Sequence, residues 1–150
     1  MPMITDDRPD EDVVLLDMAE QVARRGTCSR LKVGALLVRD GRVLSSGRNG
    51  APAGLEHCQH EADEPCEVSV HAETNAIAFA ARAQGGAEGA SLYLTHAPCL
   101  ACSGLLINAG VSRVFYRHAY RDLRGASRLA DAGVLVVCIP NAKEVSSWFG

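Results

Sequence analysis

The sequence predicts an α/β fold, a three-layer α/β/α sandwich built on a five-stranded mixed sheet. Three observations carry this expectation. Apolar positions recur with a helical period in several Ala-rich or Leu-rich segments. Five short runs rich in Val, Leu and aromatic residues are bounded by Gly, Asp or Pro. The segments order as helix, hairpin, helix, strand, helix, strand, helix, strand, so the last three strands should run parallel beside an antiparallel hairpin.

Residues 1–9 read as a tail. Over residues 10–25, Val13, Val14, Leu16, Met18, Ala19, Val22 and Ala23 follow a helical period, and Gly26 marks the end. "LKVGALLVRDGRVLSSGRN" reads as a hairpin, with strands at 31–38 and 43–47 joined by an Asp40-Gly41 turn. Residues 51–70 have no period, and a loop of that length calls for a function or an anchor. It carries His57, Cys58, His60 and Cys66. Residues 72–84 form an Ala-rich helix closed by Gly85-Gly86. "SLYLTH" is a strand. A helix at 99–108 follows Pro98, which suits a helical first turn. "VSRVFYR" is a strand, 123–132 a helix and "GVLVVCI" the last strand. Cys138 on that strand reads as a core residue.

Length and charge narrow the possibilities. The 150 residues suit a single domain with a full core. They are 47% hydrophobic and 22% charged, with a net charge of -3. That balance argues against gripping long nucleic acid by charge. The first residues lack the basic and apolar regions of a secretory signal, and no run is long enough to span a membrane. A cytoplasmic protein is expected, in which six cysteines near histidines point to metal more than to disulfides.

Two motifs carry chemistry. "VHAET" places Glu73 two residues after His71, and "APCLAC" spaces Cys99 and Cys102 as Cys-x-x-Cys. Zinc takes imidazole and thiolate readily, and a catalytic site keeps three protein ligands and one open position. His71, Cys99 and Cys102 supply three ligands. A carboxylate at Glu73 is then left to move protons. The Cys pair at a helix start can face one point, where both the helix N-terminus and a metal favour thiolates. For the His71 ring to converge with Glu73, His71 has to lie at the helix cap. Taken singly, a Cys-x-x-Cys is also a redox pair or half of a structural zinc site.

Together the motifs resemble the cytidine deaminase superfamily, whose zinc nucleobase deaminases join His-x-Glu to Pro-Cys-x-x-Cys. Within it, "KVGALLV", "GRNGAPAG", "VHAETNAI", "APCLACSGLLINAGVSRVFY" and a late "AGV" resemble the deoxycytidylate (dCMP) deaminase family over about residues 12 to 138. The resemblance implies a cytidine-deaminase-like fold and one catalytic zinc on His71, Cys99 and Cys102. It implies hydrolytic deamination of deoxycytidine monophosphate, with Glu73 carrying protons to the ring N3 and the departing ammonia. Asn49 matches a sugar contact, or is a turn Asn with positive φ. Tyr120 matches an aromatic near the base, or is a loop aromatic. Ala72 and Arg48 fall in the same substrate-binding motifs, and Arg48, Arg121 and Arg124 are candidates for phosphate or plain surface arginines. Arg48 stands where the family usually has Tyr, in the loop associated with regulation by dCTP and dTTP. A second, structural zinc is expected on Cys28, Cys58, His60 and Cys66, with His57 as the alternate for His60. The resemblance also implies a homo-oligomer. The alternatives are a zinc deaminase of another cytosine compound or a purine base, or a non-catalytic zinc-stabilised module.

Overall fold

The computed structural model describes residues 6–61, 63–83, 85–119 and 122–141. Tyr120, Arg121 and the first five residues of the expected tail lie outside the described residues.

The elements run α1 (Glu11–Ala23), β1 (Gly34–Arg39), β2 (Arg42–Arg48), α2 (Ala72–Ala83), β3 (Ser91–His96), α3 (Leu100–Asn108), β4 (Arg113–His118), α4 (Arg124–Asp131) and β5 (Leu135–Cys138). The sheet order is β2-β1-β3-β4-β5. β1 is antiparallel to both β2 and β3, whereas β3, β4 and β5 are parallel. The mixed five-stranded sheet expected from the element order is therefore present.

Alternation along β1 divides the core between the two faces of the sheet. Leu36 and Val38 face α1, packing with Leu15, Leu16, Ala19, Tyr93 and Phe115. Ala35 and Leu37 face the other way, with Ala72, Ala76 and Ala80 of α2, Leu106 of α3 and Leu129 of α4. The Ala-rich stripe of α2 is thus a close-packing device. Cys138 packs at the edge of this second cluster.

Glycine makes the approach of β2 to α2 as tight as that of β1 to α1. A Cβ on Gly47 would sit 2.1 Å from the Ala72 carbonyl oxygen and 2.6 Å from the Ala76 nitrogen. β2 can press against the start of α2 only because residue 47 has no side chain. Ser45 Oγ donates to the Ala76 carbonyl at 2.7 Å and Asn75 Nδ2 to the Arg48 carbonyl at 2.7 Å, fastening the same pair.

Two boundaries depart from expectation. The first strand begins at Gly34, not at residue 31, because segment 31–33 pairs with a side chain. Val33 N–H donates to Asn49 Oδ1 at 2.8 Å, and Asn49 Nδ2 donates to the Leu31 carbonyl. Cys99 is not inside α3 but its N-cap, with an extended backbone and a side chain that accepts from Cys102 N–H. The hairpin turn is as expected, with positive φ at Asp40 (52°) and Gly41 (70°).

Candidate active site

α2 and α3 bring their N-terminal ends together beside the C-terminal end of β3, where ligand sites of open α/β sheets gather. His71 immediately precedes α2, and its carbonyl accepts the Asn75 N–H at 3.0 Å. The ring therefore stands at the helix cap, as convergence requires. His71 Nδ1 lies 3.4 Å from Cys99 Sγ and 3.3 Å from Cys102 Sγ. All three ligand atoms fall within 4.8 Å of one another.

This set fits zinc by geometry and by chemistry. Bonds of about 2.3 Å to sulfur and about 2.0 Å to nitrogen give a tetrahedral S···N edge of about 3.5 Å. Without the metal the three side chains share a thiolate and protons that zinc would displace on binding. Hydrogen bonds from Cys102 and His71 hold the Cys99 thiol down at about 4. The Cys102 thiol is pushed up by its neighbour Cys99 and by burial, so the pair shares one thiolate. Bonding to Cys99 raises the His71 imidazole. Cys102 N–H, at the start of α3, points to Cys99 Sγ at 3.3 Å and favours its thiolate further.

Glu73 is not one of the three clustered ligands, yet it lines the same cleft and is 4% exposed. Burial pushes its carboxyl up to about 7, and the charge on Cys99 adds to the effect. The cleft has a volume of about 190 Å³.

The described residues singled out for substrate divide into two groups. Asn49 and Ala72 line the cleft and are buried. Asn49 does not adopt the positive φ of a turn Asn. Among the described non-glycine residues only Asp40 does. Its amide instead ties the 31–33 wall to β2. Arg48 is exposed and is not among the lining residues, because the β pleat turns it away from the face on which Gly47 meets α2. Arg124 is exposed and paired with Asp122 at 2.8 Å. Six lining residues were missed from sequence, three of them polar, namely Arg30, Ser69 and His96. His96 ends β3, and its Nδ1 lies 2.8 Å from Thr95 Oγ1, which accepts the Gly34 N–H. Strand alternation alone does not single these three out.

A second cluster borders the cleft. Cys28, Cys58, His60 and Cys66 place their ligand atoms within 4.8 Å of one another. His60 Nε2 lies 3.6 Å from Cys28 Sγ. The Glu61 carbonyl and Cys28 raise the His60 imidazole to about 9. Burial works against the Cys66 thiolate, but the N–H groups of Ser69 and Val68 outweigh it and bring the thiol to about 7. His57 is not part of this cluster. Three thiols and one imidazole make a closed donor set for structural zinc.

Comparison with known proteins agrees with this architecture. Residues 9–118 match the family described as the cytidine and deoxycytidylate deaminase zinc-binding region. The chain belongs to that family. It is 40% identical over 124 residues to a deoxycytidylate deaminase of Mycobacterium phage D29, covering 73% of this chain and 95% of the phage protein. It is 41% identical over 120 residues to ComE operon protein 2 of Bacillus subtilis, covering 77% of this chain but only 64% of that protein. The family member's structure is also similar to a crystal structure of dCMP deaminase from the cyanophage S-TIM5 in complex with dCMP and dUMP. That match has a TM-score of 0.82 at 34% identity and covers 89% of this chain and all of the other.

Proposed function

We propose that this chain is a zinc-dependent hydrolase that converts deoxycytidine monophosphate to deoxyuridine monophosphate and ammonia. One observation carries the reading. A three-ligand His-Cys-Cys set and a buried carboxylate outside that set line a single cleft. A structural site has no need of the carboxylate, whereas hydrolysis at a base does. Similarity to deoxycytidylate deaminases, including one described with dCMP and dUMP, supports the choice of substrate.

His71, Cys99 and Cys102 would hold the zinc, which when bound supplies a Lewis acid that makes water a nucleophile near neutral pH. Glu73 takes a proton from the attacking water and delivers it to ring N3 of the cytosine. It then carries a second proton, taken from the hydroxyl added at C4, to the amino nitrogen, so that the C4–N bond breaks, ammonia leaves and the C4 carbonyl forms. Ala72 and Asn49 form the adjoining wall. Arg30, a cation on the same cleft, suits the phosphate end better than Arg48 does.

A second zinc on Cys28, Cys58, His60 and Cys66 is part of the proposal. It would pin loop 51–70 to the segment after α1 and so supply the anchor an aperiodic loop needs. A cytoplasmic homo-oligomer is the setting we propose. None of the six cysteines is paired in a disulfide. Phe79 of α2 and Leu105 of α3 are exposed apolar side chains that a second copy would cover. Among the described residues, no helix is long and apolar enough to cross a membrane.

Ammonia release from dCMP, dCTP, cytidine, deoxycytidine, adenosine and guanine tests the reading. Turnover of dCMP above the others is expected. Preference for a different base would overturn it.

A further inference from the structure

Segment 69–71 is an extended bridge between the two cysteine clusters. Ser69 N–H donates to Cys66 Sγ at 3.3 Å. Val70 exchanges backbone hydrogen bonds with Gly50 at 2.8 and 3.2 Å. Alternate residues of an extended chain face the same way. Ser69 and His71 accordingly line the cleft, whereas Val70 does not and borders only a neighbouring shallow opening that His71 also reaches. The Ser69 hydroxyl oxygen is buried and has no hydrogen-bond partner. Buried polar groups in native proteins are rarely left unpaired without a use.

We propose that Ser69 is a substrate-binding residue whose hydroxyl donates a hydrogen bond to the 5′-phosphate of the nucleotide. This rests on the deoxycytidylate reading above. Glu73, His71 and Cys99 occupy the part of the cleft where the base must react. Ser69 follows Cys66 by three residues, and Arg30 follows Cys28 by two. The Cys28–Cys66 cluster therefore presents a guanidinium-bearing and a hydroxyl-bearing residue on one stretch of wall. A cation beside a neutral donor is the chemistry that phosphate oxygens take. The second cluster then frames the phosphate end of the cleft as well as holding the loop. No protein group satisfies this hydroxyl and its oxygen is closed to solvent, so a turn about the Ser69 Cα–Cβ bond has to bring it to the cleft on binding.

Calorimetric titration of the zinc-loaded protein with deoxyuridine monophosphate and with deoxyuridine tests this. Ser69→Ala is expected to weaken the monophosphate about 10- to 100-fold, the range for a hydrogen bond to a charged group. Affinity for deoxyuridine is expected to stay as in the wild type. The Tm of the free protein is expected to hold or rise, because no native bond is lost, and Ser69→Thr is expected to restore binding. Wild-type affinity in Ser69→Ala overturns the assignment. So does an equal loss for deoxyuridine, which would place the hydroxyl on the sugar, or a fall in Tm, which would make its role structural. If the wild type binds the monophosphate no better than unrelated nucleotides, the deoxycytidylate reading fails and this assignment fails with it.

Discussion

Gly47→Ala puts a single methyl group between β2 and the N-terminus of α2. The added Cβ would lie 2.1 Å from the Ala72 carbonyl oxygen, whereas real Cβ atoms keep at least 3.0 Å. Strand and helix must therefore part by about 0.9 Å, the difference between these distances. Both obstructing atoms are backbone, so no side chain can turn aside to relieve the clash. The Ser45 and Asn75 hydrogen bonds resist the separation. Overpacking of this kind costs about 1–3 kcal/mol. At about 2–4 °C per kcal/mol for a chain of this size, Tm should fall by about 2–12 °C. The helix that moves carries Glu73 one residue beyond the clash, directly after His71 and Ala72. A displacement near 1 Å can cost about 100-fold in rate. The assay pairs thermal melting of the zinc-loaded protein with kcat for ammonia release from dCMP. Gly104→Ala is the control. It lies within α3 with nothing nearer than 3.9 Å, and should be neutral or stabilising by up to about 1 kcal/mol. Wild-type Tm and kcat in Gly47→Ala would refute the claim that this backbone approach sets the position of Glu73.

Two further outcomes are expected. Cys58→Ser should lower the zinc content from two ions per chain to one and make loop 51–70 the first site of limited proteolysis. Unchanged zinc content would show that the second cluster does not hold the ion. Burial and the Asp12 carboxylate, which accepts from the Tyr93 hydroxyl at 2.6 Å, raise the Tyr93 phenol above its ordinary value near 10. A raised folded-state pKa contributes stability that is fully present below pH 10 and is lost as pH climbs towards the folded value. Urea unfolding should show wild-type stability declining above pH 10, with a shallower decline in Tyr93→Phe. Parallel declines would place the alkaline sensitivity elsewhere.

Much of the fold was legible because apolar period and punctuation agree along the chain. Gly85-Gly86, Gly110 and the Asp40-Gly41 turn each stand where an element ends. The metal-ligating types stood out for a different reason, since an imidazole and two thiols in the pattern of His71, Cys99 and Cys102 have little use besides holding a metal. Less legible was whatever depends on side chains crossing between segments. The start of β1 was misplaced because Asn49, 16 residues further on, takes the hydrogen bond of Val33. Arg30 and Ser69 are ordinary surface types, and only the folding of Cys28 and Cys66 into one cluster brings both to the cleft. Arg48 sits in a recognisable motif, but the pleat of β2 turns it away from the lining. Motifs report local residue types, and the reach of a side chain is settled by what packs behind it.

The role of Glu73 is tested most directly by comparing zinc-loaded wild-type protein with Glu73→Gln, following ammonia and dUMP formed from dCMP together with zinc per chain. Equal amounts of both products are expected from the wild type. In the variant the rate should be lower by about 100- to 10,000-fold, the usual worth of a positioned proton carrier, with zinc content unchanged. Near wild-type turnover in Glu73→Gln, or loss of zinc along with the carboxylate, would contradict the role given to Glu73.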